Sequence, residues 1–304
     1  MDNPWSVRRA RAVHLLGKTP HAEAILTFYV ALTEVQESLA DQVPVSEWWG
    51  IVRSPEGEFP RLRVEGLPLD ECALPFRDFL SGVAKFGTET IKDGARALLS
   101  QDDDSQLEPL RAVFAAWGKA EETEKEEDDD RDDGKDDGRD DDGHDDRDDA
   151  LEEGNALYFY ARAFLEPVVT AIAQSDSSQP TDWTQNFCFV CGGLPQVAVL
   201  RDLPDALGRR SLMCSMCATE WRFQRLTCPH CGETEADKLP VHTAESVAHV
   251  RIDACTTCMR YIKAVDLRKD GTAVPFVDEL AAVELDIWAR EQGLTKLRAN
   301  VLGL

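Results

Sequence analysis

Eight of the nine cysteines fall into four Cys-x-x-Cys pairs, Cys188/Cys191, Cys214/Cys217, Cys228/Cys231 and Cys255/Cys258, all within 71 residues. Two thiolates three positions apart on a tight turn can bind one ion together, and two such knuckles facing each other supply the four sulfurs of a tetrahedral site. Gly192 and Gly232 directly follow the first and third pairs, where a left-handed backbone suits glycine. Equivalent knuckles lie 40 and 41 positions apart, with 22 residues between Cys191 and Cys214 and 23 between Cys231 and Cys255. This internal repeat predicts two sequential ribbons. Site 1 takes Cys188, Cys191, Cys214 and Cys217; site 2 takes Cys228, Cys231, Cys255 and Cys258. A cross-braced arrangement, with alternate pairs sharing an ion, is the other way to connect them.

Soft thiolates at tetrahedral angles suit zinc or a single iron and exclude magnesium and calcium; the ligands alone do not choose between the first two. A structural role comes first, because a ribbon of ~40 residues is too small to build its own core and a closed four-sulfur site leaves no open position for a substrate. A redox role for iron is the alternative. A thioredoxin-like disulfide would need a βαβ setting, which is absent. Cys72 sits alone in an apolar helical stretch and reads as a buried core thiol, while His230 and His242 read as surface residues. No catalytic set stands out, and the chain reads as something other than an enzyme.

Around this metal-binding region the periodicity changes twice. Pro20 to about Ala40 has apolar residues at three- and four-residue spacing, with Thr19 as a cap. Val43 to Pro60 reads as a loop; Leu69 to Phe86, Glu89 to Leu99, Leu107 to Trp117 and Ala156 to Ala173 return to helical spacing. The strand-length pieces come later: Leu194 to Leu200, Arg210 to Met213, Trp221 to Leu226, Val247 to Ile252 and Arg260 to Asp266. Phe276 to Gln292 reads as a final helix. The expected fold is α+β: an all-helical domain over residues 1–173, a linker over 174–181, and a double four-cysteine ribbon domain over 182–304 with small β-sheets and a C-terminal helix.

Charge sets limits on function. The 304 residues carry 57 acidic against 33 Lys plus Arg, a net of -24, which repels a phosphate backbone. Most of it lies in Glu121 to Glu153, with 21 acidic and 5 basic residues. Its core, residues 121–149, reads as a disordered acidic insert within the helical domain, since such a stretch buries too little surface to offset its ordering entropy. No uninterrupted apolar run approaches the ~20 residues of a membrane helix, and Arg8-Arg9 is not followed by the clean apolar stretch of an export signal. Eight cysteines with metal-ligand spacing also fit a reducing compartment, so the expected location is the cytoplasm.

The stretch Cys188 to Lys263 contains Cys-x-x-Cys-Gly, then Cys214-Ser-Met-Cys217-Ala-Thr-Glu220-Trp221-x-x-x-Arg225, then Cys228-Pro-His-Cys231-Gly, then Cys255-Thr-Thr-Cys258-x-x-Tyr261-x-Lys263. This resembles the formate dehydrogenase accessory protein family, FdhE. Val277-Asp278-Glu279-Leu280, Leu285-Asp286 and Asn300-Val301 stand where that family has an acidic helix and an Asn-Pro-Phe ending. Phe189 replaces a common Pro, Asp253 stands for a frequent Glu, and the acidic insert is not a family feature. The resemblance implies a helical N-terminal domain and two rubredoxin-like sites. It also implies a cytoplasmic assembly chaperone that binds the catalytic, molybdenum-containing subunit of respiratory formate dehydrogenase. Glu220, Trp221, Arg225, Tyr261 and Lys263 match the family pattern and become candidate partner-binding residues; for Trp221, packing between ribbons is the weightier reading. A nucleic-acid-binding zinc ribbon and a rubredoxin-like electron carrier are the rival functions.

Overall fold

The computed structural model describes residues 3–117, 146–176, 180, 183–204 and 206–304. The acidic stretch from 121 to 145 and much of the expected linker lie outside the described residues.

Among the described residues, eight helices make up the N-terminal half: α1 Pro4–Leu15, α2 Glu23–Ala40, α3 Val45–Val52, α4 Leu69–Val83, α5 Glu89–Leu99, the short α6 Asp103–Gln106, α7 Glu108–Ala116 and α8 Asp146–Ala173. Three of these, α1, α3 and the one-turn α6, were not expected. The inward stripe of α1 is Trp5, Arg8, Arg11, Ala12 and Leu15, so two of its buried positions are charged and the apolar period is broken. Arg8 is paired with Glu166 at 2.6 Å and its guanidinium lies over the Trp5 and Phe276 rings. α3 occupies the expected Val43–Pro60 loop, anchored by Trp48, whose indole donates to Glu71 at 2.6 Å. Thr19 does not cap α2: its hydroxyl donates back to Leu15 O, and a 3-10 turn, Pro20–Ala22, leads into the helix. The last four residues of the expected insert, 146–149, belong to the first turns of α8.

α8 is the central helix. Its segment Ala156–Ala173 is long and apolar enough to cross a membrane, yet most of it is buried against the other helices and the ribbons. Down one side runs a polar stripe at four-residue spacing, Arg162, Glu166 and Thr170, all interior. Cys72 is likewise buried, and burial pushes its thiol up to about 12, as an inert core group.

The second half forms one mixed sheet. Its strands are β1 Pro195–Leu203, β2 Ala206–Cys214, β3 Glu220–Arg222, β4 Val241–Thr243, β5 Val250–Cys255, β6 Arg260–Asp266 and β7 Thr295–Lys296. The order is β3-β2-β1-β6-β5-β4, with β7 on β6. Each repeat is an antiparallel triplet, and the two triplets join edge to edge where β1 runs parallel to β6, Val197 opposite Lys263 through Leu200 opposite Asp266. One apolar core is shared by the helices and the first ribbon; a second lies between the second ribbon and the terminal helices.

The final helix is split into α9 Pro275–Ala281 and α10 Val283–Glu291 at Ala282. A break of this kind frees carbonyls. Lys263 of β6, fully buried, donates to Glu279 O at 2.5 Å and Ala282 O at 3.3 Å and also pairs with the Glu279 carboxylate at 2.9 Å and Asp286 at 2.5 Å. Lys296 pairs with the same two carboxylates, and Tyr261 donates to Asp286 at 2.7 Å.

Burial alone would raise the Glu279 carboxyl, but Lys263 and Lys296 outweigh it and hold it at about 2. A carboxylate depressed in the folded state contributes stability that is present above its unfolded value of about 4.3 and is lost as pH falls through the folded one. Urea denaturation midpoints should therefore fall between roughly pH 4.3 and 2. Lys263→Met, which strands a buried carboxylate, should cost about 3–5 kcal/mol at neutral pH. A cost under about 1 kcal/mol, the value of an exposed pair, would show the network is not sealed from water.

Candidate metal centres

The sheet ends bring the knuckles together. Cys214 closes β2 and Cys255 closes β5, so the second and fourth knuckles are tight turns leading into the next strand of each triplet. The first and third precede the triplets. In site 1 the sulfurs of Cys188 and Cys217 are 3.5 Å apart, Cys191 and Cys214 3.3 Å, and Cys191 and Cys217 3.4 Å. In site 2 Cys228 and Cys258 are 3.7 Å apart and Cys231 and Cys255 3.6 Å. These are far beyond the ~2.05 Å of a disulfide and near the ~3.8 Å edge of a tetrahedron with ~2.3 Å metal–sulfur bonds. The donor set fits an ion such as zinc or iron, and the sequential pairing is the one the fold adopts.

Every knuckle is finished by a left-handed residue: Gly192 and Gly232, as the glycines suggested, but also Ala218 and Met259 with φ of 56° and 54°. That conformation costs an L-residue about 1–2 kcal/mol and is retained because it closes the turn. Its amide donates to the first cysteine's carbonyl in three of them: Gly192 to Cys188, Ala218 to Cys214 and Gly232 to Cys228. The amides of Val190, Met216 and His230 point at the sulfurs of Cys188, Cys214 and Cys228 at 3.3–3.4 Å. Gly193 is needed for space, since a Cβ there would come within 3.0 Å of Cys214 Sγ.

The two centres differ in their surroundings. Site 1 is clamped by the helical half. Arg162 and Thr170 of α8 donate to the carbonyls of Ser215 and Met216 inside the second knuckle. Arg61 and Leu62 amides donate to Phe189 O and Val190 O in the first, and the Trp117 indole donates to Cys191 O at 3.0 Å. All four sulfur residues are buried. Burial pushes Cys188 and Cys191 up, while at Cys214 hydrogen bonds from the other three cysteines outweigh burial and pull it down. Site 2 has no such cover: Cys231 is exposed and Cys258 half-exposed.

The other sequence candidates separate by depth. Trp221 is buried and donates to Gln185 O at 3.1 Å; Tyr261 and Lys263 belong to the interior charge network. Packing, not contact with a partner, is what those three positions do in this structure, because a side chain without solvent access offers no surface. Glu220, paired with Arg201 at 2.6 Å, is half-exposed, and Arg225 is exposed. His230 lies beside site 2 without joining its ligand group, and His242 packs at a tilt against Trp288. A third group, His249, Asp270 and Asp278, escaped the sequence reading; its cation is the Arg11 guanidinium, which bonds both carboxylates.

Two family descriptions match in tandem: the FdhE central domain over residues 187–225 and the FdhE C-terminal domain over 226–302, meeting between the ribbons. Over residues 187–302 this chain carries both FdhE domains. An FdhE homolog from Aquifex aeolicus is 38% identical over 156 residues, which is 50% of this chain and 55% of that one. One from Stutzerimonas stutzeri is 35% identical over 121 residues, 39% and 38% of the two chains. The alignments thus span about half or less of these relatives' length. The crystal structure of the FdhE protein from Pseudomonas aeruginosa has the same fold, with a TM-score of 0.68 over 99% of this chain and 96% of that one at 21% identity. The acidic residues of α9 and α10 have a physical role: Asp278, Glu279 and Asp286 are buried and hydrogen-bonded, as is Asn300 in the tail that follows.

Protein carrying two ions per chain should lose them in two phases under chelator challenge, site 2 first. Thiol alkylation followed by peptide mass mapping should label Cys231 and Cys258 before any site 1 cysteine. Simultaneous loss, or early labelling of Cys188, would mean that the helical clamp does not protect site 1.

Proposed function

We propose that this protein is a cytoplasmic maturation factor, not an enzyme, that binds the catalytic molybdenum-containing subunit of a respiratory formate dehydrogenase before that subunit is exported. The observation that carries the reading is the pair of FdhE domains over residues 187–302, whose eight ligand cysteines are all present and assembled into two four-sulfur groups. Closed tetrahedral sites of this kind hold a small fold together without presenting an open coordination position. The ions then serve as the cores of the ribbons, and recognition falls to side chains on their surface, Glu220 and Arg225 among the residues that match the family pattern.

A rubredoxin-like electron-transfer role is the second reading, supported by the exposed Cys231 edge of site 2, which brings an ion there close to a docked partner. Metal content separates the two: zinc in protein from reducing cells fits scaffolding, and reversible iron with a visible spectrum fits redox.

Tagged full-length protein purified from anaerobically grown native cells should retain a formate dehydrogenase catalytic subunit, identified by mass spectrometry. Glu220→Lys with Arg225→Glu should reduce its recovery while leaving both ions bound. Recovery of no molybdenum-enzyme large subunit under these conditions would sink the proposal.

A further inference from the structure

Beside site 2, on the surface the helices leave open, lies a cavity of about 170 Å³. Four arginines line it, Arg210, Arg225, Arg251 and Arg260, against one carboxylate, Asp253. Asp253 is shared: Arg251 Nε donates to it at 2.8 Å, and Arg210 stands 3.4 Å from its other oxygen. The Arg210 side chain is 2% exposed. One of its terminal nitrogens donates to Gln224 O at 3.1 Å and Thr227 O at 3.0 Å, and its buried Nε has no partner. Burial pulls this guanidinium below its usual value despite Asp253. Arg225 makes no hydrogen bond or ion pair among the described residues. It lies over the left-handed Gly208, where a Cβ would come within 3.2 Å of its Nη1, so the bare turn lets the guanidinium rest at the cavity.

Cys228 and Cys255 also line the cavity, and four thiolates around a divalent ion carry a net charge of about −2. The volume is below the ~300 Å³ of ordinary ligand pockets and, at ~30 Å³ per water, holds about half a dozen non-hydrogen atoms. Leu239, Val241 and Ile262 supply an apolar wall.

We infer that this cavity is a binding site for a single carboxylate group, held by Arg210 and Arg225 and backed by the apolar wall, adjoining but not ligating the second metal site. The planar guanidinium fork matches a carboxylate, and in so desolvated a place each charge-assisted hydrogen bond is strong. The carboxylate comes either from a free small acid or from an acidic side chain of a bound protein. The inference does not depend on which protein the chain serves.

The test uses the metal-loaded full chain with nitrogen-15 arginine, titrated with acetate in exchange for chloride at constant ionic strength. The Nε signals of Arg210 and Arg225 should shift and saturate with a dissociation constant on the order of millimolar. Arg225→Gln should weaken binding about tenfold. Arg268→Gln, which removes a surface arginine outside the cavity, should not. Shifts that grow without saturating, or that Arg225→Gln leaves unchanged, would mean the arginines only screen the metal centre and overturn the site. A second arm uses a blocked tripeptide with one Glu in place of acetate. Tighter binding than acetate at the same two arginines assigns the carboxylate to a protein partner, and exclusion of the peptide with acetate still bound assigns it to a free small acid.

Discussion

Charges sealed from water at the terminal helices tie distant parts of the chain together. Asp278, Glu279 and Asp286 each point inward, and each finds its cation on another segment: Arg11 on α1, Lys263 on β6, Lys296 at β7. Desolvating a carboxylate costs several kcal/mol unless a partner and further hydrogen bonds compensate it. The network is therefore tolerable only when α1, the sheet and the tail are all docked. Arg8 with Glu166 repeats the device between α1 and α8. Such pairs add little net stability over apolar packing, but misplaced docking leaves a bare buried charge, which penalises every wrong arrangement more than it rewards the right one.

The same physics explains what the sequence displayed and what it withheld. Metal ligands were legible because Cys-x-x-Cys spacing is local, and the 40-residue repeat favoured the sequential pairing over a cross-braced one without any knowledge of the fold. Helices α4, α5 and α7 were legible because their buried stripes are apolar. α1 was not, because Arg8 and Arg11 sit on its inward face and only their distant partners make those positions buried. The break at Ala282 was hidden for a related reason: its freed carbonyls are bonded by Lys263, nineteen residues earlier in the chain. The joining of two ribbons into one sheet rests on the parallel pairing of β1 with β6, a contact no local pattern encodes. Lys263 and Tyr261 drew notice as family-matching residues, but sequence could not tell an interior hub from a recognition surface.

Two ligand sets of identical chemistry end in different environments because the helical half covers only one of them. The polar stripe of α8 needs acceptors, and the carbonyls at Ser215 and Met216 need donors; each satisfies the other, and the first ribbon is thereby built into the helical core. The second ribbon has its apolar face occupied by α9 and α10, so its knuckles are left on the outside. Duplication thus yields one ribbon that anchors and one that presents.

That division accounts for where positive charge collects in an otherwise acidic chain. Near site 1, Arg162 is interior and spent on carbonyls of Ser215 and Ala299, and the half-buried Arg298 donates to the Tyr158 hydroxyl. Around site 2 the corresponding charge stands at a cavity open to solvent, with Arg225 unpaired beside it among the described residues. A net charge of -24 repels anions over long range, yet the cavity acts over a few ångströms, where local guanidinium groups outweigh a screened global field. Recognition of an acidic group by this protein is therefore a short-range matter of geometry, confined to the ribbon that the helices leave free.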